Sequence, residues 1–226
     1  MLPQGVLYLD QDESRHAVKV LRKNSGDKIR LTDGQGMFYD ATITVADPLR
    51  CTFDVNARIP EPRRNFAIHI AISPTKNPDR IEWFVEKSVE LGIDEITLLK
   101  CDHTERQIVK LERLQKMAIS AMKQSLKATL PIIHPLINFG NIVLASGSAQ
   151  KYIAHVDNAN QVHLKDIVRV GSTYLVLIGP EGDFSDEEIE LAEANAFRKV
   201  SLGVSRLRTE TAGLAACHIL NLANTT

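Results

Sequence analysis

The spacing of apolar residues changes character near residue 65. Before it, short runs alternate apolar with polar positions. DKIRLTDGQGMFYDATITV is the clearest: Ile29 and Leu31 alternate with Lys28 and Arg30, and DGQG makes a turn. Phe38, Ala41, Ile43 and Val45 then continue in a strand with at least one irregularity. This is a hairpin, and the stretch from about Val6 to Ile59 reads as a small β-barrel built of such strands. Ahead of it, SRHAVKVLRKNSGD reads as a short helix, with Ser14 as its cap and Gly26 closing the turn.

After residue 65 strand and helix alternate. FAIHIAIS reads as a buried strand. KNPDRIEWFVEKSVELG follows as a helix, with Ile81, Phe84, Val85, Ser88 and Leu91 on one face and Gly92 as the stop. Asp94–Lys100 is a second strand. Leu111–Ser125 is a helix with Leu111, Leu114, Ala118, Ala121 and Met122 at core spacing, and Lys151–Val156 is a third strand. Two further strand–turn–helix units close the chain. Tyr174–Ile178 runs into the glycine turn Gly179–Phe184, after which Ser185 and Glu188 make a capping box for a helix through Ala196. Val200–Leu202 runs into Gly203, with Thr209 as N-cap of the last helix. The alternation predicts a mostly parallel sheet covered by helices. It also sets the two glycine loops side by side at the carboxyl ends of neighbouring strands, where open α/β sheets bind ligands.

Composition adds bounds rather than chemistry. The chain has 226 residues, 44% apolar and 24% charged, with a net charge of −1. That is ordinary for a globular protein and excludes a global basic field for nucleic acid, so any RNA contact must come from local patches. Cys51, Cys101 and Cys217 are scattered without metal-ligand spacing and are expected as buried thiols in a reducing compartment. No apolar run is long enough to span a membrane, and MLPQGVLYLDQDE lacks a signal-peptide core, so the expected place is the cytoplasm.

One local patch stands out. Arg15, Lys19, Arg22, Lys23, Lys28 and Arg30 are opposed only by Asp27 between residues 15 and 30. Either this is a solvated face, or it is a surface for a nucleic-acid backbone. His16 alone is weak evidence, since a lone histidine is more often structural. IPEPRRN, Ile59 to Asn65, reads as a linker between a β-rich and an α/β half. GPEGDF lacks the G-K-[ST] ending of a P-loop, which excludes that class of nucleotide enzyme.

GPEGDFSDEE followed by LGVSRLRTETA resembles the signature of the SPOUT methyltransferases that methylate N3 of a uridine in 16S ribosomal RNA. Asp183 stands where the second turn glycine is more usual. HAVKVLRKNSGD is similar to a motif of that family's PUA-like domain, matched at His16, Val20, Leu21, Arg22, Gly26 and Asp27. Lys76, Arg80, Glu82, Lys87, Glu90, Leu91 and Gly92 match a helix motif. Arg106 lies in HTERQIVK, similar to an S-E-R-S stretch with Gln107 in place of a serine. Gln124 and Ser125 match a Q-S…P motif, while Lys123 stands where many members have glutamate, so no acid–base role is carried to it. The motifs run in order from His16 to Ala212.

The resemblance implies a PUA-like β-barrel RNA-binding domain over residues 1–62 and, over 66–226, an α/β domain with a trefoil-knotted region binding S-adenosylmethionine. By family position the donor would lie against His155, Gly179, Glu181, Gly182, Leu202, Gly203, Leu207 and Arg208. Leu202 and Leu207 read equally as core. Catalysis would fall to Arg208 and Arg106, charged at any working pH, with Glu181 and Glu210 as candidate proton acceptors. Glu210 reads equally as a carboxylate stabilising the first turn of its helix. RNA contacts would come from Arg15, His16, Lys19, Arg22, Lys23, Lys28, Arg30 and Arg80. No metal is called for. The partners implied are 16S rRNA or the small ribosomal subunit, and a second copy of the chain. TAGLAACHILNLAN, apolar on several sides, suits a homodimer through the C-terminal domain or docking into its own core. Two other functions stay open: a non-catalytic RNA-binding or ribosome-assembly factor, and a knotted methyltransferase acting on another RNA.

Overall fold

A computed structural model of the chain describes residues 7–147, 150–155 and 162–225. They divide into two compact units, one up to Pro62 with Lys127–Thr129, the other Arg63–Leu126 with Leu130 onward.

The first unit holds β1 (Leu7–Tyr8), α1 (Gln11–Arg15), β2 (Lys28–Thr32), β3 (Met37–Val45) and β4 (Thr52–Pro60). The strands form an antiparallel sheet in the order β1-β4-β3-β2. The β2–β3 hairpin turns through Gly34 and Gly36, both in left-handed backbone, while Asp33 Oδ1 accepts from the Gln35 and Met37 amides at 2.7 and 3.2 Å. The expected irregularity in β3 is present as register shifts at Asp40/Ala41 and Ile43/Val45. Ala128 closes onto this sheet, its carbonyl accepting from the Gly36 amide at 2.9 Å and the Thr32 hydroxyl at 3.1 Å.

The helix here starts earlier than the sequence suggests. Asp10 caps α1, accepting from the Glu13 amide at 2.8 Å. Ser14 is not a cap: it is fully buried, donates to the Leu9 carbonyl and accepts from the Cys51 amide at 2.9 Å. Its hydroxyl is committed to tying the helix to the start of β4, and the acidic first turn, Asp12 and Glu13, suits Asp10 as the true start. The helix continues as a π-helical turn, His16–Val20, after which Arg22 takes a left-handed conformation.

The second unit is built as β5 (Ala67–Ile72), α2 (Pro78–Leu91), β6 (Glu95–Lys100), α3 (Leu111–Gln124), β7 (Ile132–Asn138), α4 (Phe139–Ala145) and β8 (Gln150–Ala154). It continues with α5 (Leu164–Ile167), β9 (Thr173–Ile178), α6 (Asp186–Ala194), β10 (Arg198–Val200) and α7 (Thr209–Thr225). Its six strands are parallel, in the order β10-β8-β9-β5-β6-β7. Both faces are covered, as a parallel sheet requires. Ile68, Ile70 and Ile72 of β5 point to one face, where they meet Phe84 and Val85 of α2, Leu114 and Ala118 of α3, and Ala216 and Leu220 of α7. Ala71 points to the other, with Phe139 and Val143 of α4 and Ile189 of α6.

Three differences from the sequence reading matter. First, β9 and β10, which carry the glycine loops, are not neighbours, because β8 lies between them. The α6 crossover carries the chain past β8. Second, β10 ends at Val200, so Leu202 belongs to the loop, and Val156 lies outside the described residues. Third, β7, α4 and α5 were not anticipated. Pro135 interrupts β7 and sits in the register shift between Thr97↔His134 and Leu98↔Leu136, which is how an edge strand accommodates a proline.

At the end of β10 the chain is tethered. The His155 amide reaches the Val200 carbonyl on one side, while on the other the Ser201 amide donates to Val162 at 2.8 Å and the Leu164 amide donates to Ser201 at 3.0 Å. Residues 201–208 therefore leave the sheet from a point bonded to the segment that enters α5. The chain then enters α7, which packs on α2 and β5. Among the described residues no helix is long and apolar enough to cross a membrane.

Gly213 sets how closely α7 approaches: a Cβ there would lie 2.6 Å from the buried Phe84 ring and 2.8 Å from Ile72. Gly213→Val is expected to lower the free energy of unfolding by about 1–3 kcal/mol, read as a lower urea midpoint at an unchanged slope. An unchanged midpoint would show that the α2–α7 contact has room to spare.

Candidate functional site

The carboxyl ends of β8, β9 and β10 open onto one cavity of about 760 Å3, within the usual range for small-ligand sites. Its walls are Ala154 and His155 after β8, Gly179, Pro180, Glu181 and Asp183 after β9, the run Ser201–Arg208 after β10, and Thr209 and Ala212 of α7. The two glycine loops expected side by side thus do share a pocket, but the end of an intervening strand contributes to it.

Each loop is shaped by its own chemistry. At Gly179 any Cβ would stand 3.1 Å from the Phe184 ring, itself buried against Phe139. The turn closes through the Asp183 amide on the Pro180 carbonyl at 3.0 Å. Ser185 and Glu188 form the anticipated capping box of α6. Glu188 does more: its Oε1 accepts from the Asp102 amide and its Oε2 from the Ser185 amide, both at 3.0 Å. Ser185 Oγ donates to Asp102 Oδ2 at 2.7 Å. Burial raises the Glu188 carboxyl above the ordinary carboxylate range, which the two backbone amides partly oppose. On the other side, Ser201 Oγ donates to the Gly203 carbonyl and accepts from its amide, and Gly203 holds a φ of +143° that other residues rarely adopt.

The structure brings together His155, Gly179, Glu181, Leu202, Gly203, Leu207 and Arg208 as cavity lining. Leu202 also packs on the core, so both readings of it hold. Gly182 is exposed in the turn and faces His103 instead, 3.2 Å from where its Cβ would be. Arg106 lies outside this cavity, in a second cleft of about 900 Å3 with Lys76, Glu82 and Arg113. The two sites are linked: Glu181 Oε1 accepts from the Lys76 amide at 3.2 Å, and Arg106 Nε donates to the Lys76 carbonyl at 3.4 Å. Lys76 Nζ pairs with Glu105 at 2.9 Å. Glu210 is buried, with Arg80 Nε 3.8 Å from Oε1 and no partner at Oε2. Arg80 thus sits with Glu210 in the second unit, whereas the other basic residues assigned to RNA belong to the first. Arg206 and Asp183 also line the cavity and were not picked out as ligand contacts. Arg206 was legible in SRLR as the residue two before Arg208.

In the first unit Arg15, His16, Lys19, Arg22 and Lys28 are exposed, and Lys23 is half-buried with Nζ donating to the Lys28 carbonyl at 3.3 Å. Arg30 is exposed but not unopposed. It grips Asp40 through two bonds of 2.7 and 3.0 Å across the β2–β3 register, which lowers the Asp40 carboxyl below its ordinary range. The three cysteines are buried and outside any disulfide, and among the described residues no group of metal-ligating side chains could hold a metal ion.

The sequence pattern of the RNA methyltransferase domain matches residues 62–221, and that of the RNA methyltransferase PUA domain matches residues 9–56. This chain belongs to the RNA methyltransferase family. Among relatives, the ribosomal RNA small subunit methyltransferase E of Rickettsia conorii is 28% identical over 217 residues, 93% of this chain and 87% of the relative. A solved structure from Porphyromonas gingivalis, a probable rRNA-methyltransferase, superposes with a TM-score of 0.92 at 45% identity, covering 96% of this chain and 93% of that one. The ribosomal RNA small subunit methyltransferase E of Neisseria gonorrhoeae, solved bound to S-adenosyl methionine, gives 0.84 at 29% identity, covering 97% and 92%.

Because Glu188 ties the end of the β9 loop to the loop after β6, Glu188→Ala is expected to cost about 1–3 kcal/mol of stability. Hydrogen exchange should speed up at the Asp102 and Ser185 amides more than in the sheet. Uniform exchange across the unit would mean that the carboxylate is not holding the loop.

Proposed function

We propose that this chain transfers a methyl group from S-adenosylmethionine to N3 of a uridine in 16S rRNA of the small ribosomal subunit. The observation that carries the reading is the single cavity at three strand ends in a chain of this family. Relatives over nearly the whole length bear the small-subunit methyltransferase name, and one is solved with that donor.

The lining fits a nucleoside donor. Gly179 lets the chain pass against the Phe184 ring at the cavity wall, Leu202 and Leu207 offer apolar faces for a base, and polar side chains such as Ser205 and Arg208 can fix its orientation. When bound, the donor supplies a methyl group on a sulfonium, already a good leaving group. The protein's work is alignment and control of the proton on N3. Methyl transfer replaces that proton, so it must pass to a base or to solvent. Glu181, exposed at the cavity wall, is the better placed acceptor, since Glu210 is buried against Arg80. Arg208 in the cavity stabilises the developing negative charge of the ring, and Arg106 reaches the same wall through Lys76. N3 lies on the pairing edge, so the uridine must be unpaired or turned out of its stack. Residues 1–62 serve RNA binding through Arg15, His16, Lys19, Arg22, Lys23 and Lys28, and residues 66–226 hold the donor. The protein would work in the cytoplasm as a homodimer through its C-terminal domain.

The test is incubation with S-adenosylmethionine and 16S rRNA or small subunits from cells lacking this protein. N3 methylation blocks base pairing, so reverse transcription should stop at one new uridine. RNA binding without methyl incorporation would instead favour a non-catalytic factor, and a ribose-methylated nucleoside in the digest would favour another activity. Arg208→Ala should lower kcat about 100-fold while leaving the melting temperature unchanged, because the side chain is exposed.

The RNA assignment has its own check. Arg15→Glu with Lys19→Glu should weaken RNA binding at least tenfold and flatten its salt dependence while leaving donor affinity alone. Equal loss of both would remove the division of labour.

A further inference from the structure

Among the described residues outside glycine, Arg22, Leu126, Asp183 and Ala196 have positive φ, and Asp183, at +63°, is the one that lines the cavity. A side chain held in left-handed backbone is unfavourable, and such strain is retained where the side chain is needed. Glycine would close the same turn without it.

The contacts of Asp183 say what the carboxylate does. Oδ1 accepts from the Phe184 amide at 2.8 Å, which fixes the side chain. Oδ2 lies 3.0 Å from Nδ1 of His155, at the end of β8. That ring nitrogen is buried and makes no aligned hydrogen bond, so the carboxylate meets it as a close charge pair. The Asp183 carbonyl meets His103 Nδ1 at 3.0 Å, so both main chain and side chain of this residue are tethered. Both carboxylate oxygens are thereby engaged, which makes Asp183 a poor direct ligand. His155 is different. With Nδ1 beside Asp183, Nε2 is the ring nitrogen turned from the carboxylate, and His155 lines the cavity. A carboxylate on one nitrogen of an imidazole fixes the tautomer and orientation of the other.

We propose that Asp183 is a positioning residue that holds His155 with Nδ1 protonated, so that Nε2 accepts a hydrogen bond from an O–H or N–H of the nucleoside part of the methyl donor. The pair spans the loop after β9 and the end of β8, and so also fixes the distance between two walls of the pocket. This rests on the methyltransferase reading above.

Calorimetric titration of S-adenosylmethionine into the full chain tests it. Asp183→Gly relieves the backbone, so its melting temperature should not fall, yet its donor affinity should drop about fivefold to tenfold. Asp183→Asn, whose amide oxygen can accept from the same Nδ1–H, should recover affinity to within about threefold of the unaltered chain. In a His155→Ala background, Asp183→Gly should cause no further loss, because the two act as one unit. An unchanged affinity in Asp183→Gly, an equal loss in Asp183→Asn, or losses that simply add with His155→Ala would each overturn the proposal. Failure of the unaltered chain to bind the donor at all would sink the methyltransferase reading, and this assignment with it.

Discussion

The site depends on one constraint: the chain leaving β10 is hydrogen-bonded on one side at Val200 and on the other at Ser201. Val162 and Leu164 hold it from one side, and β8 lies on the other through the His155–Val200 contact. A loop at a free sheet edge would swing. Here the run to Arg208 starts from a fixed point and ends in the first turn of α7, where the Ala212 amide donates to the Arg208 carbonyl at 2.7 Å. Between these anchors Gly203, Val204, Ser205 and Arg206 are exposed and line the cavity. A segment anchored at both ends therefore delivers solvent-facing side chains in a definite place. The cost lies in folding, since residues far apart in sequence must meet before the last helix can dock, and such contacts form slowly.

The opposite wall is held by a different device. Glu188 is buried and carries two backbone amides from separate segments, while Ser185 and Asp102 bond directly above it. A helix cap is ordinarily a local matter worth about 1 kcal/mol. Here the same carboxylate also fastens the loop after β6, so the cap becomes a tertiary tie. The β9 loop is thereby pinned at Gly179 by the Phe184 ring and at Ser185 by Glu188, leaving Glu181 and Gly182 as its exposed crest.

Much of this was legible in the sequence, and what was not has a common cause. The α2 face, its Gly92 stop with φ of +94°, the α6 capping box and the β2–β3 hairpin all rest on residues a few positions apart. The two glycine loops were legible for the same reason. What spacing could not carry was strand order. That β8 separates β9 from β10 is decided by crossovers, and so the meeting of His155 with Asp183 was out of reach. The same holds for Arg30 and Asp40, which pair across a register rather than along the chain. Ser14 misled because a serine ahead of an apolar run looks like a cap, whereas its hydroxyl is spent on Cys51. β7 was hidden by Pro135, and α4 and α5 are too short, at seven and four residues, to show a helical period.

Pro135 has a consequence of its own. The outermost strand of a parallel sheet presents unpaired amides and carbonyls that can template another strand. In β7 the proline withholds one donor and the shifted register bends the ribbon. The far flank is a three-residue strand, beside which the bridge from His163 to Ser201 is formed. Neither border offers a straight, fully equipped rail, so the sheet resists growing into fibrils when many copies are crowded together.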